Sequence, residues 1–260
     1  MARQKLGQHF LIRGAILERI AAAACPPGEP PATVLEIGPG RGALTARLLE
    51  RASRVVAIEL DPYLAAHLRT RFAGEPRLEI VEADVLAADL ARWGRLPVVG
   101  NLPYYITSPI LERTLRLRPP RAVFLIQKEV AERLVAAPGT RDYGYLTVQT
   151  ALFATVRLLF EVKPAAFHPP PKVDSAVVLL EPRAAAGEIG DPEDFLRFVS
   201  LCFRQKRKTL RNNLAESVGR EVVDSWPEAG LRAEQVPVEG FVAMYRRWRT
   251  APGQQFPSPR

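Results

Sequence analysis

Cysteine is nearly absent from this chain, which holds only Cys25 and Cys202. The two lie so far apart in sequence that they can build neither a CxxC metal site nor a disulfide framework, and a reducing, cytoplasmic setting is expected. Histidine is nearly as scarce. His9, His67 and His168 show no metal-ligand spacing, so no metal is expected. Long apolar runs are missing too: nothing approaches the roughly 20 residues of a membrane span. Arg13, Glu18 and Arg19 interrupt the stretch leading into Ala21–Ala24 that would otherwise mimic a targeting signal. No membrane partner is expected. Lysine is confined to positions 5, 128, 163, 172, 206 and 208.

What is present is an ordinary globular composition, 47% hydrophobic and 25% charged over 260 residues, enough to bury one large core and a small appendage. The formal net charge is +8, carried mostly by arginine. Guanidinium groups bind phosphate bidentately and stack on bases, so the balance points to a polyanion such as RNA, although a general surplus of surface arginine would look the same.

Short apolar runs alternate with helical patterns, which is the signature of an α/β fold with helices wrapped around a mostly parallel sheet. The spacing predicts strands over Thr33–Ile37, Arg54–Glu59, Leu78–Glu82, Pro97–Gly100 and Ala122–Gln127. Two longer β-rich runs, Leu152–Val162 and Asp174–Leu180, flank a Pro-rich turn and predict an antiparallel hairpin at the sheet edge. Residues 1–182 therefore read as one catalytic domain and 183–250 as a small helical domain, joined through a linker-like stretch over Pro182–Pro192. Residues 251–260 read as a disordered tail.

The segment VLEIGPGRGALTARLLE gives a strand, a GxGxG turn at Gly38, Gly40 and Gly42, and a helix, in the order that presents backbone N–H groups to a ligand. Glu59 ends the next strand, where a carboxylate can accept from both hydroxyls of a ribose. A nicotinamide dehydrogenase is the alternative. GxGxG in place of GxGxxG, with Glu36 placed to face a cationic ligand end, argues against it. Asp84 ends the third strand and could take a proton from an adenine amine. Each carboxylate alone could be a solvated strand end or a cap, but three at successive strand ends mark where ligands bind in open α/β sheets.

The fourth strand runs into GNLPYYITSPIL. An adenine amine is a poor nucleophile because its lone pair is delocalised, so a methylating enzyme must hold it with acceptors and fix the base plane. Asn101 and the carbonyl of Leu102 can accept, Pro103 stiffens the turn, and Tyr104 offers a stacking face worth about 1–3 kcal/mol per base. Phe167, in FHPPPKVDS, is a candidate second face; an aromatic at a hairpin corner is the plainer alternative.

These motifs resemble the amino-methyltransferases, and the set QKLGQHFL, EIGPGRGALT, AIELD, ADVL, GNLPYYITSPIL, QKEVAERL, FHPPPKVDSAVV and FRQKRKTLRNNL is similar to the bacterial small-subunit (16S) ribosomal RNA adenine dimethyltransferases of the KsgA type. The resemblance implies a class I, Rossmann-like methyltransferase sheet with S-adenosylmethionine as co-substrate. It carries cofactor contacts onto His9, Leu11, Gly38, Glu59, Asp84 with its neighbour Val85, and Asn101. Glu36 and Gly40 complete that set from the reading above. Base-holding residues fall on Asn101, Leu102, Pro103, Tyr104 and Phe167. It further implies ribosomal RNA in an assembling small subunit as partner, two adjacent adenosines in a 3′-terminal hairpin as target, and a monomer. His9 stands where the family motif usually has Asn. An Erm-type large-subunit enzyme is the nearest rival, disfavoured by Leu102, QKEVAERL and DSAVV. An assembly factor whose methyl transfer is dispensable is a third possibility.

Finally, Phe195–Ala215 contains no acidic residue but holds Arg197, Arg204, Lys206, Arg207, Lys208 and Arg211. Read as one helix, it puts Arg204, Arg207, Lys208 and Arg211 on one face and turns Phe198, Cys202, Leu210 and Leu214 to the core. Arg204, Lys206, Arg207, Lys208 and Arg211 are the predicted RNA-binding set.

Overall fold

The computed structural model of the protein describes residues 9–183 and 189–250. The expected tail at 251–260 lies outside the described residues. Two compact units emerge: residues 1–131 with 154–182, and residues 132–153 with 183–260.

The first unit begins with a short strand, β1 (Phe10–Leu11), and helix α1 (Gly14–Ala24). β2 (Thr33–Ile37), α2 (Ala43–Leu49), β3 (Arg54–Glu59), α3 (Pro62–Arg71), β4 (Leu78–Glu82), β5 (Val98–Asn101), α4 (Thr107–Arg116) and β6 (Ala122–Gln127) follow, and α5 (Lys128–Leu134) leads out of the unit. Local chemistry sets several boundaries. Asp61 caps α3 by accepting from Tyr63 N at 2.9 Å, with Pro62 preset for the first helical position. Pro97 has no N–H to give and sits just before β5, but its carbonyl accepts from Leu35 N at 2.9 Å, so the strand starts one residue later than predicted.

Together with the later strands these form a seven-stranded sheet in the order β4-β3-β2-β5-β6-β9-β7. β7 is Ala154–Val162, β8 is Phe167–His168 and β9 is Ser175–Pro182. The five strands from β4 to β6 run parallel, while β9 lies antiparallel to both β6 and β7. The predicted hairpin is therefore at the edge, with its second strand inserted next to β6. Its first strand starts later than predicted because Leu152 and Phe153 close a helix, α6 (Tyr145–Phe153). Both alternating sets of the central strands are buried, Val34, Val55, Val99 and Val123 on one face and Leu35, Val56, Ile58 and Phe124 on the other. That is the pattern of a parallel sheet with helices on both faces. Leu17, Ile20, Leu44 and Leu48 of α1 and α2 cover the first of those faces.

The second unit comprises α6, α7 (Pro192–Cys202), α8 (Leu210–Val218), α9 (Arg220–Asp224) and α10 (Val238–Thr250). Phe198 lies stacked on Trp248, ring centroids 5.8 Å apart, amid Phe195, Phe241 and Tyr245. The buried positions Phe198, Cys202, Leu210 and Leu214 are as expected. Two features differ. The unit recruits Glu132–Phe153, so the boundary is not a single cut after residue 182. The basic segment is also not one helix: α7 stops at Cys202, residues 203–208 form turns and bends, Thr209 bridges to Arg232, and α8 restarts at Leu210.

Candidate active site

The strand order reverses between β2 and β5: from β2 the chain steps outward to β3 and β4, then returns to lay β5 on the other side of β2. A crevice opens at such a switch point, outside the carboxyl ends of the strands. A cavity of about 490 Å³ lies there, within the range of small-molecule sites. Its walls include His9, Leu11, Glu36, Gly38, Gly40, Glu59 and Asn101–Tyr104. Residues 92 positions apart thus meet around one space.

The glycine turn is shaped by backbone sterics. Gly38, Gly40 and Gly42 all have positive φ, at 66°, 58° and 78°. A Cβ on Gly40 would come within 3.0 Å of the Phe10 ring, so the turn also makes room for β1. The Arg41 guanidinium lies 4.6 Å from the centroid of the same ring. Glu59 reaches back across the turn, accepting from Gly40 N through Oε2 and from Asp61 N through Oε1, each at 3.0 Å. Burial raises its pKa against these two backbone bonds. A carboxylate has more lone pairs than those two bonds use, so both oxygens can still accept from ligand hydroxyls.

Glu36 lies deeper, 1% exposed at the end of β2. Thr45 Oγ1 donates to its Oε2 at 2.6 Å. Loss of water pushes its pKa up to about 8; the Thr45 bond opposes the rise and the Glu59 charge adds to it.

Asn101 closes β5. Its Nδ2 donates to the His9 carbonyl at 2.9 Å, which turns Oδ1 the other way and leaves it an unused acceptor among the described residues. Leu102 N donates to Leu125 O at 3.0 Å, and its side chain is buried. Pro103 O accepts from Thr107 Oγ1 at 3.1 Å. The Tyr104 hydroxyl pairs with Ser175 at 2.7 Å, which holds the ring; burial raises its pKa. The ring of His9 stands 5.8 Å from that of Tyr104, and its Nδ1 lies 2.8 Å from Pro169 O, which requires a proton on Nδ1.

Three predicted residues fall outside this cavity. Asp84 and Val85 are not among its lining residues; Asp84 Oδ1 instead accepts from Leu86 N at 2.8 Å and caps the following turn. Phe167 is 3% exposed and packs into the core. The two-residue period of β8 sends His168 to the cavity instead. Sequence reasoning also missed Phe10, Arg41 and Arg71 on the wall, and Thr45 and Ser175 behind it. Phe10 stands between two flagged residues, and Ser175 lies inside a quoted motif, so adjacency was the available signal. For Arg71, far along the chain at the end of α3, there was none.

In the second unit the predicted basic residues are exposed. Folding nonetheless brings acids to some of them: Arg204 pairs with Glu216 at 3.2 Å and Arg211 with Asp224 at 2.5 Å. Lys206 Nζ donates to Arg141 O at 2.8 Å. The single-sign stripe read from the sequence is thus partly neutralised from outside the window.

Residues 1–246 match the family described as ribosomal RNA adenine dimethylase. The protein called ribosomal RNA small subunit methyltransferase A from Acidobacterium capsulatum is 44% identical over 257 residues, spanning 94% of this chain and 90% of its own. That of Geobacter sulfurreducens is 46% identical over 223 residues, 82% and 80% of the two chains. Among solved structures, a dimethyladenosine transferase from Plasmodium falciparum superposes with a TM-score of 0.77 at 27% identity, covering 91% of this chain and 96% of that one. The 23S rRNA methyltransferase ErmE superposes at 0.69 with 32% identity, covering 93% and 100%. The fold is that of a class I methyltransferase, and with a matched segment that takes in both compact units almost to their end, the chain belongs to the ribosomal RNA adenine dimethylase family.

Proposed function

We propose that this protein dimethylates N6 of two adjacent adenosines in the 3′-terminal hairpin of small-subunit ribosomal RNA, acting as a cytoplasmic monomer on a subunit still being assembled. As a member of its family it is an S-adenosylmethionine-dependent RNA adenine methyltransferase. The choice of small-subunit RNA follows relatives whose names carry that substrate. S-adenosylmethionine supplies an electrophilic methyl group when bound. The cavity suits such a ligand on its own terms: its volume fits a nucleoside, its glycine turn admits close backbone approach, and two carboxylates face a space where a ribose and a cationic end need acceptors.

The observation that carries the reading is the orientation of Asn101. With Nδ2 held by His9 O, Oδ1 is an acceptor at the cavity wall, able to draw a proton of the target amine and favour a pyramidal nitrogen. Tyr104, fixed through Ser175, offers the base a plane. Pro103 holds the turn between them. Holding the nucleophile in a near-attack pose can lower the barrier by about 7–11 kcal/mol. The amine turns acidic once alkylated and needs only nearby water to take its proton. Asp84, Val85 and Phe167 remain in this reading as proposed ligand contacts that lie outside the cavity wall. Because a base must leave its stack to reach Asn101, the target is extruded from structured RNA.

Mass spectrometry of digested RNA tests this, after unmethylated small and large subunits are incubated with the protein and S-adenosylmethionine. N6,N6-dimethyladenosine in the 3′ fragment of the small-subunit RNA is the expected product. Its appearance in large-subunit RNA alone would transfer the assignment to the Erm-type activity.

A further inference from the structure

Glu36 is a carboxylic acid at the end of a central strand with almost no access to water. It receives one hydroxyl bond, from Thr45, and no cation pairs with it among the described residues. The other charged or titratable groups facing the cavity do not relieve it. Glu59 adds like charge, Arg41 stacks over Phe10, and Arg71 donates to the Arg41 carbonyl at 2.5 Å. His9 is engaged with Pro169, and His168 lines the rim. Burying an unpaired carboxylate is costly, and the group avoids the cost by keeping its proton. The contrast with Glu59, which receives two backbone N–H groups, is what singles Glu36 out.

We propose that Glu36 is a proton-coupled counter-ion, a neutral acid until the cationic end of S-adenosylmethionine enters the cavity, whereupon it releases its proton to solvent and pairs with that cation. This rests on reading the cavity as the methyl-donor site. No bond in the ligand changes: the O–H bond of the acid breaks, the proton goes to buffer, and the carboxylate formed balances the incoming positive charge. Thr45 stays bonded to Oε2 throughout and leaves Oε1 for the ligand. The consequence is a site that admits a cationic ligand more tightly as pH rises towards about 8, the point to which burial has moved this acid. Affinity should climb about tenfold per pH unit below that value and level off above it.

Isothermal titration calorimetry of the full chain at pH 7, in buffers of different ionisation enthalpy, counts the protons. S-adenosylmethionine should release about one proton per site, and 5′-methylthioadenosine, which lacks both the ammonium and the sulfonium, should release none. Glu36→Gln should abolish the release. S-adenosylhomocysteine keeps the ammonium but not the sulfonium: release with it assigns the pairing to the ammonium, its absence to the sulfonium, and either supports the coupling. Donor binding with no proton released, or equal release by the uncharged thioether, overturns the proposal. Failure of every ligand to bind would instead refute the cavity as the donor site. Should the variant not fold, the comparison of ligands on the unaltered protein decides alone.

Discussion

At the scale of single residues the site depends on orientation more than on reactivity. Asn101→Ala should lower single-turnover methyl transfer by about 10²-fold, as small misplacements of a bound nucleophile do, while S-adenosylmethionine binding measured by calorimetry falls less. Association with unmethylated subunits should survive; its loss together with methylation would mean that the residue docks RNA. Glu36 gives a pH prediction for the protein alone. Its acid is raised from an ordinary 4.5 to about 8, so between those values the folded chain keeps a proton that the unfolded chain has lost. Stability from this group is therefore present in acid and withdrawn as pH rises through that window. Melting curves of Glu36→Gln should shift less between about pH 5 and about pH 8 than those of the unaltered protein. The sequence made Glu36 and Asn101 legible because each lies at or next to the end of a strand in a recognisable motif. It could not show that Phe167 turns inward and His168 outward, since a two-residue strand is too short to display its own period.

At the scale of elements, the seam between β2 and β5 allows no side chain at Gly100. A Cβ there would sit 2.5 Å from Ile37 O, so Gly100→Ala should destabilise by about 1–3 kcal/mol in urea unfolding, and separating the strands would widen the cavity. The basic connection between α7 and α8 behaves differently from the stripe expected of one helix. Arg204 and Arg211 already have acidic partners, in exposed pairs of the kind worth at most about 1 kcal/mol. Arg207→Ala with Lys208→Ala should reduce the salt slope of RNA binding by about 1–2, and Arg204→Ala with Arg211→Ala by less. Filter binding at several salt concentrations separates the pairs; equal slopes would mean that the internal ion pairs open on RNA. The strands were legible because hydrophobic alternation is local. The break at residues 203–209 was not, because no glycine or proline marks it.

At the scale of the whole molecule, a chain ended at Pro182 would keep α6 without the second unit to which it belongs, leaving Val148 and Leu152 uncovered. Such a truncation should aggregate or melt in more than one transition by differential scanning calorimetry, a result a contiguous boundary would not give. That boundary was illegible because a helix inside the first 182 residues carries no sign of which core it will join. The net charge of +8, in contrast, was readable at once and needs no fold. The pairing of β1 with β8 is a long-range property of the chain, since Phe10 and Leu11 find their partners only at His168 and Phe167. The carbonyl that orients Asn101 belongs to the residue just before that strand. During synthesis, then, the glycine turn and the Asn101 loop emerge early but face an incomplete wall until position 168 has left the ribosome. The wall is thus fastened by a main-chain latch, indifferent to whether residue 9 is His or Asn, that needs both ends of a span of about 160 residues to be in place.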